Sequence, residues 1–133
     1  MQLVPQTQAI LHLAGYMVAR GCTLLARGEA SGVDLGRVGE DGSMQVEAQA
    51  ARHDGALAQG RALLGAPPHR GVVAQVLVHA QQMAMAGTPF TEALVAEFGD
   101  PGGPLTGVVL ALPFQAARDG QELVMHPRWH TPQ

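Results

Sequence analysis

Apolar positions recur at two periods along this chain, and the change from one to the other sketches the fold. From Val4 to Leu25 the residues Ile10, Leu13, Ala14, Met17, Val18 and Leu24 are spaced by threes and fours. That spacing places them on one helical face, with Gln6, Gln8 and Arg20 elsewhere. Gly21 is the expected stop. Cys22 to Val46 is Gly- and Asp-rich with short apolar runs, at Thr23-Leu24-Leu25 and Val33-Asp34-Leu35. It predicts a strand or hairpin, with Gly39-Glu-Asp-Gly42 as a turn. A second helix is expected over Gln45 to Leu64, through Ala48, Ala51, Ala56, Leu57, Leu63 and Leu64. Gly65 ends it, and Pro67-Pro68 prevents continuation.

Beyond Thr91 the pattern is apolar runs cut by two turns, Asp100-Pro-Gly-Gly-Pro104 and Arg118-Asp-Gly120, before a polar His/Arg/Trp end. Such turn residues supply the backbone angles of chain reversal, so an antiparallel meander is expected. Two segments read either way. Arg70 to Gly87 carries a helical stripe (Val72, Val73, Val76, Ala80, Met83, Ala84), yet its valine cluster favours a strand. Thr88 to Phe98 opens on a good cap, Thr88-Pro89, and repeats Phe90, Leu94, Phe98, yet it also alternates.

The motifs Thr91-Glu92-Ala93, with Glu97 further on, and Leu112-Pro113-Phe114 resemble those of small alanine-rich α+β proteins of GC-rich bacteria, a group with no known activity. The resemblance covers the C-terminal half. It implies that Val72–Gln82 and Thr91–Phe98 are strands, which we expect to pair antiparallel around a reversal at Met83–Phe90. The expected fold is therefore one α+β domain over residues 1–133. It comprises an antiparallel meander of about four to five strands packed by two α-helices, with residues 126–133 as a polar tail.

Composition narrows the partners. Hydrophobic residues make up 47% and charged residues 14%, and the net charge is −3 with no lysine. The arginines are scattered singly, whereas phosphate binding needs clustered cations; nucleic acid is not expected. The single Cys22 excludes an intramolecular disulfide and favours a reducing compartment. Leu3 to Leu25 lacks a basic n-region and is interrupted by polar residues, so neither a signal peptide nor a membrane span is expected. These features point to a cytoplasmic protein.

No reaction is written in the sequence. His126 and His130 are four apart, but Pro127 between them disfavours a helix, and in an extended tail they stand ~13 Å apart. His79 lies in an apolar run, where a hydrogen-bonded core histidine is the common case. His12, His53 and His69 read as surface or loop. Glu92 and Glu97 fall on opposite faces of a strand, and on a helix they diverge by about 140°; Glu122 could approach either. Cys22 follows a helix, the wrong end for dipole activation. Ser31 and Ser43 lack a nucleophile elbow, and the glycines from Gly28 to Gly42 lack the Lys of a P-loop. No cofactor, metal or catalytic residue is expected.

Two functions remain. The leading expectation is a non-enzymatic interaction module (adaptor, immunity-type or small chaperone-like); the alternative is an isomerase-like or small-ligand pocket in a cone-shaped α+β fold, with His79 and His126 as its lining. The run Thr106 to Leu112 has no hydrophobic alternation. One face of the sheet can lie under the helices, and two helices of this size are not expected to cover both faces, so the other needs cover. A homodimer, sheet to sheet through Val108, Val109, Leu110 and Leu112, is the expected cover.

Overall fold

The computed structural model describes residues 5–49, 53–66, 70–84, 86–116, 122–125 and 128–130, with the side chains of 53 and 54 left aside. In chain order these form α1 (Pro5–Ala26), β1 (Asp34–Gly39), β2 (Met44–Ala48), α2 (His53–Gly65), β3 (Val72–Gln82), β4 (Glu92–Gly99), β5 (Val109–Gln115) and β6 (Val124–Met125). All strand pairs are antiparallel, in one sheet of order β2-β1-β3-β4-β5-β6. The α+β class is as expected, with six strands rather than four to five.

The first difference from the expected layout concerns β2. Met44–Ala48 is a strand, not the start of the second helix, and it pairs with β1 across the Gly39–Gly42 turn. That turn is closed by Gly42 at φ 82° and by a hydrogen bond from the Ser43 amide to Asp41 Oδ1. Good helix formers in this stretch lose to the ladder that β1 offers. The second difference is α1, which continues through Gly21 to Ala26 and absorbs Thr23-Leu24-Leu25. Gly21 is not a stop but a contact: a Cβ there would lie 3.2 Å from Leu94 Cδ2 of β4.

The third difference concerns the placement of the helices. The helices lie on opposite faces of the sheet. On one face, Ile10, Leu13, Ala14, Met17 and Val18 of α1 pack with Val38, Ala74, Val76, Val78, Leu94, Ala96, Phe98 and Phe114. On the other, Ala56 and Leu57 of α2 pack with Val33, Leu35 and Leu77. The premise that both helices share one face therefore fails. β3, covered by a helix on each face, is buried without interruption from Ala74 to His79. Val109 sits with the buried cluster Ala93, Val95 and Ala111, while Val108, Leu110 and Leu112 pack against the α1-side core; all four are half-buried.

The expected pairing of Val72–Gln82 with Thr91–Phe98 is observed, with Gln82 opposite Glu92 and Gln75 opposite Gly99. The bond from the Phe98 amide to the Val108 carbonyl turns the even residues of β5 toward β4. Pro113 therefore presents its donorless nitrogen toward the β6 side and can donate no ladder bond there. Among the described residues, Met125 and Val124 pair with Phe114 and Gln115 on that side, and Ala111 and His130 exchange two backbone bonds. His130 is thus tied to the sheet and not part of a solvated tail. His126 and the turn at 118–120 lie outside the described residues.

α1 spans 22 residues and is long and apolar enough, by length and composition alone, to cross a membrane. Here its apolar face is taken up by the sheet. Its seat depends on Gly36, where a Cβ would come within 2.6 Å of Met17 Sδ and 2.9 Å of Leu13 Cδ2. Gly36→Val is expected to lift α1 from β1 at a cost of about 2 kcal/mol, as overpacked cores do. A lowered urea midpoint checks it; an unchanged midpoint would show that the helix has slack at this contact.

Candidate functional site

The chemistry-bearing side chains gather on the α2 face. His79 of β3 and Glu97 of β4 are diagonal neighbours, because His79 faces Val95 and Glu97 faces Leu77 in the register. Odd residues of both strands share this face, and α2 places Arg61 above them. His79 is 0% exposed. Its Nε2 lies 2.5 Å from Glu97 Oε2, and since a carboxylate only accepts, Nε2 donates. Arg61 Nε reaches both carboxylate oxygens at 3.1 Å, and Nη2 joins Oε2 at 3.1 Å. Burial pushes the Glu97 carboxyl up, but hydrogen bonds from His79 and then Arg61 outweigh it and hold the group below the ordinary carboxylate range.

This set is closed. The second ring nitrogen of His79, Nδ1, is buried without a hydrogen-bond partner. It opens onto no solvent. Only Arg61 reaches outward, its side chain 51% exposed. It borders an open cleft of about 580 Å³ lined also by Leu57, Ala80, Gln81, Gln82, Glu92 and Phe114. Of the two residues expected to line a pocket, His79 is next to this cleft's Ala80 but turned into the core.

A second polar centre went unread in the sequence. Asp100, in the turn after β4, is 0% exposed. It accepts from Thr7 Oγ1 at 3.0 Å, Gln6 Nε2 at 2.9 Å and the Leu105 amide at 3.4 Å. The Thr106 hydroxyl and the Gly103 amide close the same turn on its carbonyl. The first turn of α1 has no acidic residue of its own. Asp100 brings one across 93 residues of chain, where the helix dipole favours an anion. Nothing in a local pattern shows this, since Asp-Pro-Gly-Gly reads as an ordinary turn.

The remaining candidates stay dispersed. Glu92 and Glu97 fall on opposite faces, as the strand reading requires. Cys22 lies within α1, half-buried, where burial raises its thiol above the ordinary value against the opposing effect of a backbone hydrogen bond. Ser31 is buried, Ser43 is in the β1–β2 turn, and His12 is exposed on α1. Among the described residues no group of three or more His, Cys, Asp or Glu could hold a metal ion.

Among the described residues, backbone groups without a ladder partner are instead found at the sheet edge. β2 is the outermost strand and is exposed on both faces around a half-buried Val46. The bonds Gly39 N to Ser43 O and Gln49 N to Val33 O direct the odd residues of β2 toward β1. Met44, Val46 and Ala48 therefore turn their amides and carbonyls outward, away from the sheet. Compared with known proteins, the chain matches no family model, no curated protein and no solved structure.

Proposed function

We propose that this protein is a non-enzymatic interaction module of the cytoplasm that takes a protein segment along the edge of β2. The observation that carries the reading is where polar capacity is spent. Glu97 and Asp100 use theirs internally, on His79 and Arg61 and on the start of α1. The β2 edge leaves a row of strand amides and carbonyls facing outward, with Met44 43% exposed beside them. An extended segment laid there gains a ladder of backbone bonds, the usual way an open sheet recognises a partner. The lone Cys22, without a disulfide partner in the chain, fits the reducing compartment.

A photo-crosslinking residue at Met44, introduced in cells, tests it. A discrete crosslinked species is expected, and it should vanish when Val46→Pro removes the central outward amide. Absence of any crosslink, or one indifferent to Val46→Pro, would refute docking at this edge. The cleft beside Arg61 favours a second reading, a small-ligand site, through its one cation, two glutamines and an acid. Thermal stabilisation by a small molecule that is lost in Arg61→Ala would establish that reading instead.

A further inference from the structure

Resting on the interaction-module reading, we infer that the occupant of the β2 edge is β2 of a second copy of this chain, joined antiparallel about a two-fold axis at Val46. The outward-facing residues make this strand self-complementary. With Val46 opposite Val46 of the second copy, Met44 falls opposite Ala48 and Ala48 opposite Met44. All three are narrow pairs, because Met44, Val46 and Ala48 are the residues whose amides and carbonyls point away from β1. Each narrow pair exchanges two backbone bonds, about six across the seam.

The side chains agree with that register on both faces. On the α1 face the seam is a row of Met44, Val46 and Ala48 against their mates, apolar throughout. Val46 already packs against the α1-side core there. Met17 and Leu13 of α1 sit over Gly36 of β1, and Gly21 sits against Leu94 of β4. At ~100° per residue, Tyr16 and Arg20 then lie beyond β1, on the β2 side of the helix. The Arg20–Asp34 ion pair at 3.8 Å, at the start of β1, agrees. Tyr16 is 59% exposed, and with Met44 it accounts for two of the large apolar side chains left open to solvent. A second copy brings both pairs together over one seam.

On the α2 face, Gln45 comes opposite Glu47 of the second copy, twice. An amide donor meets a carboxylate, and no like charges stand directly opposite. Glu47 is already neutralised by Arg37 of its own chain at 2.6 Å, so bringing two copies together does not force bare carboxylates into contact. A different register breaks this match: shifting by one residue turns apolar against polar faces, and shifting by two leaves an outward pair unmet at each end.

Sedimentation of the full chain, from micromolar to sub-millimolar concentrations, tests the pairing, with circular dichroism to confirm folding. Wild type is expected to sediment as a dimer. Val46→Pro should weaken the dimer at least about 30-fold, the loss of two central bonds, while the β1–β2 ladder stays intact because the Val46 amide does not serve it. Gln45→Glu sets two like-charged pairs across the seam and should weaken the dimer about fivefold, with recovery at high salt. Its new carboxylate faces Arg37 on β1, so the monomer keeps its fold. If Val46→Pro fails to fold, Gln45→Glu decides alone. A wild type that stays monomeric, or a dimer indifferent to Gln45→Glu at low salt, overturns the pairing. A monomeric wild type whose Met44 crosslinks to a protein of different mass overturns the second copy as occupant and leaves the module reading standing.

Discussion

Asp100→Ala is expected to lower stability by about 3 kcal/mol and the melting temperature by about 10 °C, although no residue of the candidate surface is touched. The carboxylate joins Gln6 and Thr7 at the start of α1 to the Leu105 amide of the turn before β5. Its removal leaves the Thr7 hydroxyl buried without that acceptor and takes the anion from the helix N-terminus. Marginal stability makes this a large fraction of the whole. Asp100→Asn keeps one acceptor oxygen and should fall between wild type and Ala. Thermal melts followed by circular dichroism check the order. An alanine variant within about 0.5 kcal/mol of wild type would mean the turn closes without the side chain.

Glu97→Ala is expected to be of similar size, about 3 kcal/mol, because it strands His79 with neither ring nitrogen paired inside the core. Arg61→Ala should cost less, about 1 kcal/mol, since half its side chain is in water. The double variant Glu97→Leu with His79→Leu should recover much of the loss, as apolar replacement of a buried, mutually paired polar group often does. Acid should act through the same group. The folded-state Glu97 carboxyl lies below its ordinary value, so its contribution is fully present above the unfolded value of about 4.3 and is lost as pH falls through the folded value. Urea midpoints measured on descending into that range should drop for wild type and flatten for Glu97→Gln. Equal acid slopes in the two proteins would place the sensitivity elsewhere.

Neither effect was legible as chemistry in the sequence, and the reasons are physical. His79 and Glu97 are 18 positions apart, and Arg61 is 36 positions from Glu97. Their meeting requires the register of β3 on β4 and the choice of sheet face by α2. The odd spacing of Glu92 and Glu97 does place them on opposite faces of β4. It could not say that Glu97 would face a histidine. Asp100 was read as turn chemistry, which it also is, through the bonds its carbonyl accepts.

What the sequence determined by itself is the local structure whose signals agree: the apolar stripe of α1, the Gly39–Gly42 turn, the stop of α2 at Gly65, and the antiparallel run from β4 to β5. The helix-or-strand ambiguity at Val72–Gln82 has a structural cause. A strand covered on both faces loses its alternation, and a continuous apolar run fits either period. There the resemblance to small α+β proteins, not periodicity, pointed to the strand. Tertiary structure alone decided the placement of one helix on each face. That choice depends on close approach, Gly36 under Met17 and Leu13, Gly60 against Leu77, and a missing side chain leaves no periodic signal. It also decided that Met44–Ala48 leaves the helical pattern to pair with β1, and so placed a short, self-complementary strand at the edge of the sheet.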